Sequence, residues 1–290
     1  MWFIFALLSA LCISMRKVAE KRLTHRIHYF TFGWALQLFA LPVVFAAWLL
    51  AGALLNPLAL GLNFWIPTIL IWIGFYPLST FLYVSALKHG ELSKILPLQS
   101  LGPIFALTLA WPLLHQSPSL AAVAGIVVVV LGVYVLNLKG AYLHNPLGIF
   151  KGDKANLHML LNLMLIAVAG VLDAIAIKAS EPLFFSFVST LGAVPVLYAC
   201  ALLFKVKELA EIRRHILPMS ISGGLFGASF LTHMIALSLG PLAYISAVRG
   251  SSAVMGAVLG IMYLKESVTA PKVVALSLIT IGSIMVGLHQ

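Results

Sequence analysis

Hydrophobic residues along this chain fall into long runs broken by short polar connections. A helix needs about 20 apolar residues, at 1.5 Å rise, to cross a hydrocarbon core about 30 Å thick. On that measure the runs predict ten spans, at roughly 1–20, 29–51, 64–88, 92–114, 119–138, 159–180, 184–204, 216–239, 241–264 and 270–289. The first is the weakest, because Arg16 and Lys17 cut its apolar run short; both side chains can snorkel to the interface. Two connections are long. Residues 139–158 carry the turn signals Asn145-Pro146 and Gly152-Asp153, and 205–215 reads as a short polar interfacial segment. The expected fold class is an all-α polytopic membrane protein with five spans on either side of 139–158.

The two halves repeat. Residues 83–138 align with 233–288 at a constant offset of 150, without a gap. Ala86-Leu87-x-x-Gly90 matches Ala236-Leu237-x-x-Gly240, and Leu109, Leu114, Gly132 and Leu138 meet Leu259, Leu264, Gly282 and Leu288. Matching leucines are cheap in apolar sequence; the shared register of glycines and helix ends weighs more. The expected division is a first five-helix repeat at 1–138, a connection at 139–158 and a second repeat at 159–290. An odd number of spans per repeat inverts the second copy in the membrane. Inverted repeats are the mark of alternating-access transporters, whose sites lie near the midplane between the copies.

Composition agrees with the pattern. The chain is 62% hydrophobic and 9% charged, against about 25% charged for soluble domains. A net charge of +10 raises nucleic acid as a partner, but the basic residues sit in short connections and form no continuous patch, so none is expected. The charges instead orient the chain. Odd-numbered connections hold Lys21, Arg22, Arg26, Lys88, Lys94, Lys139, Lys151, Lys154, Lys205, Lys207, Arg213, Arg214, Lys265 and Lys272; even-numbered ones hold no Lys or Arg. Positive residues stay cytoplasmic, which puts both termini outside, in a bacterial inner membrane. Cys12 and Cys200 lie inside apolar runs and give neither a disulfide framework nor metal spacing. The N-terminus MWFIFALLSALCISMRK has no positive segment before its apolar run, so it reads as a first span and not a cleaved signal.

Span nine, within 241–266, carries the chemistry. It is rich in small residues, from Ser246 and Ala247 to Gly256 and Gly260, and holds Arg249 near its middle. Small residues let helices approach closely in lipid, and a cation at that depth marks a functional site by default. Asp173 in span six and His233 in span eight fall at the same depth, about 12 Å from the even-connection side. Asp173 with Arg249 is the obvious pair. It reads either as a substrate or proton site or as a permanent lock between spans six and nine. His233 is a group able to relay protons near neutral pH. At the 150 offset Arg249 corresponds to Gln99 and His233 to Tyr83, so both counterparts are expected in the cavity. Lys178 reads as a snorkelling residue, as a partner of Glu181 or as an entry gate for anions. Trp34, Gln37, Asn162 and Ser246 are further candidate cavity liners. Pro77, Pro97, Pro103 and Pro112 are expected to loosen spans three and four. Spans five and ten fit a lipid-facing or homodimer surface.

Residues 263–288, YLKESVTAPKVVALSLITIGSIMVGL, resemble the end of the repeat in EamA-type members of the drug/metabolite transporter superfamily. Glu266, the turn at 267–271 and Gly282 carry the likeness; the first half keeps Gly132 but has His115-Gln116 where the acid belongs. The resemblance implies a 5+5 inverted repeat in which four helices of each half line a central cavity, and export or exchange of small metabolites. Family members of this size usually keep both termini in the cytoplasm, against the charge pattern here. No phosphate loop, HExxH, GxSxG or Cys/His cluster is present, so neither a cofactor nor an enzymatic role is expected. The expected function is secondary transport of a small amphipathic metabolite, such as an amino acid, with proton coupling. The alternatives are exchange of phosphorylated solutes or nucleotide-sugars, and a non-transporting subunit of lipid-carrier translocation.

Overall fold

The computed structural model describes residues 1–20, 28–52, 60–89, 101–137, 154–204, 209–252, 255 and 270–288. Every regular element among them is a helix. In lipid no water can satisfy backbone N–H and C=O groups, so the chain must satisfy them within each segment. The helices are α1 (Trp2–Glu20), α2 (Tyr29–Ala51), α3 (Leu62–Leu70), α4 (Tyr76–His89), α5 (Gly102–Leu114), α6 (Leu120–Asn137), α7 (Lys154–Lys178), α8 (Pro182–Leu203), α9 (Leu209–Arg214), α10 (Ile216–Leu239), α11 (Leu242–Arg249) and α12 (Ala270–Leu288). Among the described residues, five stretches are long and apolar enough to cross a membrane: Tyr29–Ala51, Leu62–Ala86, Lys154–Lys178, Pro182–Leu203 and Ile216–Leu239. Trp2–Arg16, Gly102–Leu114, Leu120–Gly132 and Val273–Val286 are shorter apolar helices. Gln99, Pro97 and the Gly256–Gly260 pair lie outside the described residues.

Two helices differ from the expected runs. The sixth span starts at Lys154, five residues before the apolar run at 159. Its added turn is polar but packed: Ala155 and Asn156 are buried, and His158 Nδ1 lies 3.0 Å from Ser85 Oγ. The third span is α3 and α4 joined by a π-helical turn, Ile71–Phe75. Pro77 explains the turn. It has no N–H to offer the Ile73 carbonyl, and its ring would strike it, so the backbone widens by one residue ahead of it.

Packing follows the repeat. α1 packs on α10, and α7 packs on α3 and α4, which are counterpart pairs; α2 meets α8, α5 meets α11, and α6 meets α12. The last pair shows the symmetry atom by atom. A Cβ on Gly132 would fall 2.7 Å from Ile279, and one on Gly282 would fall 2.8 Å from Val129 Cγ2. The offset of 150 carries 282 to 132 (282 − 150) and 129 to 279 (129 + 150), so the two contacts exchange halves, as a two-fold axis demands. Gly125 meets Val286, Met285 and the Gly282 carbonyl, while Gly132 meets 278–279, so the two helices run antiparallel. Spans five and ten are therefore a seam to each other on one side. Their other faces expose Val127, Leu131, Val273, Val274, Ile281 and Ile284.

A polar clasp joins each of these two cross-half helix pairs. Ser79 Oγ donates to Asn162 Oδ1 at 2.8 Å, and Ser9 Oγ donates to the Ser229 carbonyl at 2.9 Å. Ser79 and Ser229 are counterparts at the 150 offset. Elsewhere Gly223 and Gly227 let α10 lie against Leu36, Phe39, Ala40 and Val43 of α2. Gln116 stands at the position where the first half was expected to hold an acid. Its Oε1 accepts from the Leu242 N–H at 3.0 Å and so caps α11.

The seam makes a stability prediction. A Cβ at 282 lies 2.7 Å from the Gly125 carbonyl and the Val129 nitrogen, so Gly282→Leu must push α6 and α12 apart. We expect a loss of about 2–3 kcal/mol or more, read as a lower melting temperature in detergent. Gly74→Ala meets nothing within 4 Å and should leave the melting temperature unchanged or slightly raised. Equal melting temperatures for the two variants would contradict a close-packed seam.

Candidate functional site

α11 sits among α1, α5, α6, α7, α10 and α12. From Leu242 to Gly250 its side chains are buried except at Ser246, Arg249 and Gly250. Those positions are spaced i, i+3, i+4 and so share one face. The regular helix ends at Arg249, and the chain turns at Gly250 and Ser251.

Ionisable groups from α1, α7 and α10 approach Arg249. Asp173 of α7, 9% exposed, lies within electrostatic reach of Arg249. His233 of α10 and Arg16 of α1 lie within reach of Arg249 as well. Arg16 is seated over the Phe226 ring, 5.3 Å from its centroid. Asp173 and Arg249 do not close on each other: no nitrogen–oxygen distance between them is within 4.0 Å. Arg249 Nε, His233 Nδ1 and Gln37 Oε1 are buried with no hydrogen-bond partner among the described residues. Each such orphan costs about 1–3 kcal/mol unless water or a ligand satisfies it. The cluster is basic on balance, with the arginines suited to an anionic group and Asp173 to a cationic group or a proton.

Beside the charges lies a neutral polar step. Tyr76 follows the π-helical turn and reaches α8, its hydroxyl 3.2 Å from Ser189 Oγ. It also lies beside the Gln37 amide and within electrostatic reach of Asp173. Trp72, one turn earlier, donates Nε1 to the Ser189 carbonyl at 3.1 Å. Its ring lies on Gly192, where a Cβ would fall 2.0 Å from the indole, so only glycine admits it. Trp72 also forms one wall of a half-open apolar cleft of about 640 Å³, lined by Trp48, Trp65, Phe184, Phe187, Val188, Leu191, Gly192, Val194 and Pro195, with Leu191 and Pro195 exposed.

The other sequence candidates go elsewhere. Tyr83 packs beside Ala86, Ala155, Met159 and Leu163 in a separate apolar cluster. Trp34 lies against Tyr198, with ring centroids 5.1 Å apart. Asn162 is the clasp of α7 to α4. Lys178 is exposed at the end of α7. Gln37 and Ser246 do reach the site. Sequence reasoning missed Tyr76, Ser189, Arg16 and the tryptophan cleft. Tyr76 had a signal, since its 150-offset counterpart is Phe226. One of this pair faces Asp173 and the other holds Arg16.

The EamA-like transporter family matches the sequence over residues 1–138 and 153–288. The chain belongs to that family. As an EamA-like protein it is a membrane transporter of the drug/metabolite transporter superfamily, with two repeats of about 140 residues each. One solved crystal structure superposes with a TM-score of 0.77, covering 99% of this chain and 95% of its own, at 18% identity. At that identity the likeness concerns the fold alone. No curated protein sequence matches.

The Trp72–Gly192 contact can be tested by a double-mutant cycle. Gly192→Ala should destabilise by about 1–3 kcal/mol in the wild-type background, because the indole must move. In a Trp72→Ala background the same change should cost much less, a coupling above about 0.5 kcal/mol. Additive melting shifts would contradict the contact.

Proposed function

We propose that this EamA-like protein is a secondary transporter of a small amphipathic metabolite, an amino acid or a related compound, working by alternating access. The observation that carries the reading is the charge cluster. Asp173, Arg249, Arg16 and His233 come from helices of both repeats, and Asp173 and Arg249 meet without closing into an ion pair. Charges inside a bundle cost several kcal/mol and persist where they serve a wet path or a ligand. In this reading Arg249, backed by Arg16, holds the anionic end of the solute. Asp173 takes up either a proton or the solute's cationic end, and His233 relays protons. Inversion of one repeat onto the other supplies the two access states. The charge bias of the connections supports an orientation with both termini outside, and the exposed faces of α6 and α12 are where a homodimer would form.

A phosphorylated solute is the second reading. The approach of Arg16 to Arg249 favours it, because a phosphate needs convergent cations. Lys178, the cation first expected to join Arg249, stands exposed at the helix end.

The test is uptake of labelled amino acids into proteoliposomes under an imposed pH gradient. Asp173→Asn should cut proton-driven flux at least tenfold; unchanged flux would remove Asp173 from coupling. Competition by glucose 6-phosphate, without competition by amino acids, would move the assignment to the second reading. Impermeant thiol labelling of single cysteines placed at either terminus should proceed from outside, and labelling only from the cytoplasm would reverse the orientation.

A further inference from the structure

The counterpart pairs, α1 with α10 and α7 with α4, meet at opposite ends of the bundle, and their contacts differ in kind. α1 starts against the end of α10, where a Cβ on Gly240 would fall 2.6 Å from the Trp2 ring. That contact holds no group that titrates. α7 starts against the end of α4, beside the basic connections that hold Lys88 and Lys151. There His158 Nδ1 lies 3.0 Å from Ser85 Oγ. His89 Nδ1 lies 2.9 Å from the Ser85 carbonyl and 3.5 Å from the same Oγ. At the 150 offset these three positions become Leu8, Ile235 and Leu239, so the second copy has no histidine or serine at any of them.

Donor and acceptor roles follow from these distances. A carbonyl only accepts, so His89 Nδ1 carries a proton and donates it to the Ser85 carbonyl. His89 Nδ1 then cannot accept from the Ser85 hydroxyl, which leaves His158 Nδ1 as the acceptor. His158 is therefore neutral in this contact. A proton on its Nδ1 would leave the hydroxyl of Ser85, 5% exposed, with no acceptor among the described residues. It would also meet no carboxylate. α4 brings His89, and α7 brings Lys154, exposed one turn earlier. α2 and α8 approach through the uncharged Tyr29 and Cys200, packed with Phe81, whose ring lies 5.9 Å from that of His158. Tyr83 of α4 and Tyr134 of α6 pack beside Ala155 and Met159. α3 and α5 hold no ionisable group, and α2, α4, α6 and α8 hold no acid. Asp173, His233 and Arg249 stand about four turns further along α7. Glu91 and Asp153 lie outside the described residues.

We propose that Ser85 and His158 form a pH-sensitive latch between the two halves: their bond holds α4 to α7 while His158 is neutral, and protonation of His158 releases it. Histidine is the side chain whose ordinary charge change falls between about pH 5 and 8. The released state takes up the proton that the latched state excludes, so acid favours the open mouth and alkali the closed one. The Trp2–Gly240 contact at the other end carries no such group, so pH biases one mouth and not the other. This rests on the alternating-access reading above and adds what holds one of its two mouths shut.

The test is the dipolar coupling between paired spin labels on the full-length protein in lipid nanodiscs, with Cys12 and Cys200 replaced by alanine. Labels at Leu78→Cys and Leu157→Cys read α4 against α7, and labels at Ile4→Cys and Leu239→Cys read α1 against α10; all four residues are exposed. Lowering the pH from about 8 to about 5.5 should raise the population of the longer α4–α7 distance at least threefold. His158→Asn puts an amide oxygen where Nδ1 stood and takes up no proton, so it should keep the short distance at both pH values. Ser85→Ala removes the bond and should show the longer distance at both. Melting temperature confirms that the variants fold. No pH response in the parent, a response that persists in His158→Asn, or a Ser85→Ala protein that stays closed would each overturn the latch. If a mixture of L-amino acids still moved both label pairs, the transporter reading would stand without it. If His158→Asn abolished the pH response while neither pair answered to the amino acids, the latch would stand and the amino-acid reading would fall.

Discussion

Charge inside an apolar bundle is the constraint on which this structure turns. A charge near the bilayer centre costs about 2.5–3.5 kcal/mol on insertion scales, and an unpartnered buried polar atom adds its own penalty. A chain selected for stability alone would close Asp173 onto Arg249 or replace both with leucines. Here Asp173 and Arg249 share one field without closing into an ion pair, and Arg249 Nε and His233 Nδ1 have no partner among the described residues. Their placement is understandable if something else completes them in turn. Water, protons and the polar end of a solute are the candidates that fit the half-open face formed by Ser246, Arg249 and Gly250.

Around that face the scaffold is built by symmetry. The antiparallel seam of α6 and α12 brings Gly125, Gly132 and Gly282 within backbone contact, and its contacts exchange under the 150-residue offset. Dispersion and close packing hold helices together in lipid, where burial from water adds little. Glycines at the seam supply that closeness. The pairing of α1 with α10 and of α7 with α3 and α4 repeats the same rule, and each pair carries an equivalent serine clasp. The chemistry breaks the symmetry. Tyr76 and Phe226 are counterparts, yet one faces a carboxylate and the other carries an arginine. Two like halves thereby carry unlike groups at corresponding positions.

Much of the fold was legible because membrane helices follow two strong rules, apolar length and positive connections. Gly132 and Gly282 were visible as a repeated pair, and the seam between them is what the repeat implies. The start of α7 was not legible. Its first turn is polar, and only contact with Ser85 shows that it is helical and packed. In the site, Asp173, Arg249 and His233 stood out because ionisable groups at one depth are rare. Gln37 and Ser246 were weaker signals that also reach it. Tyr83 and Trp34 belong to other clusters, since depth along a helix does not say which face a side chain takes. Arg16 was read as a residue limiting the first span, for the same reason. The cleft was hidden because tryptophan and phenylalanine are ordinary in membrane helices, and the sequence does not show that Gly192 lies opposite Trp72.

The most direct measurement asks whether the face of α11 is wet from both sides. Cys12 and Cys200 are half-buried thiols and must first be replaced by serine or alanine. Ser246→Cys then places one thiol one turn from Arg249. Its reaction with a membrane-impermeant thiol reagent is followed in vesicles, with the reagent supplied from outside or from within. The account predicts labelling from each side, slowed by transported solute. A thiol that stays unreactive from both sides in the folded protein would show a dry, permanently packed interior and contradict it.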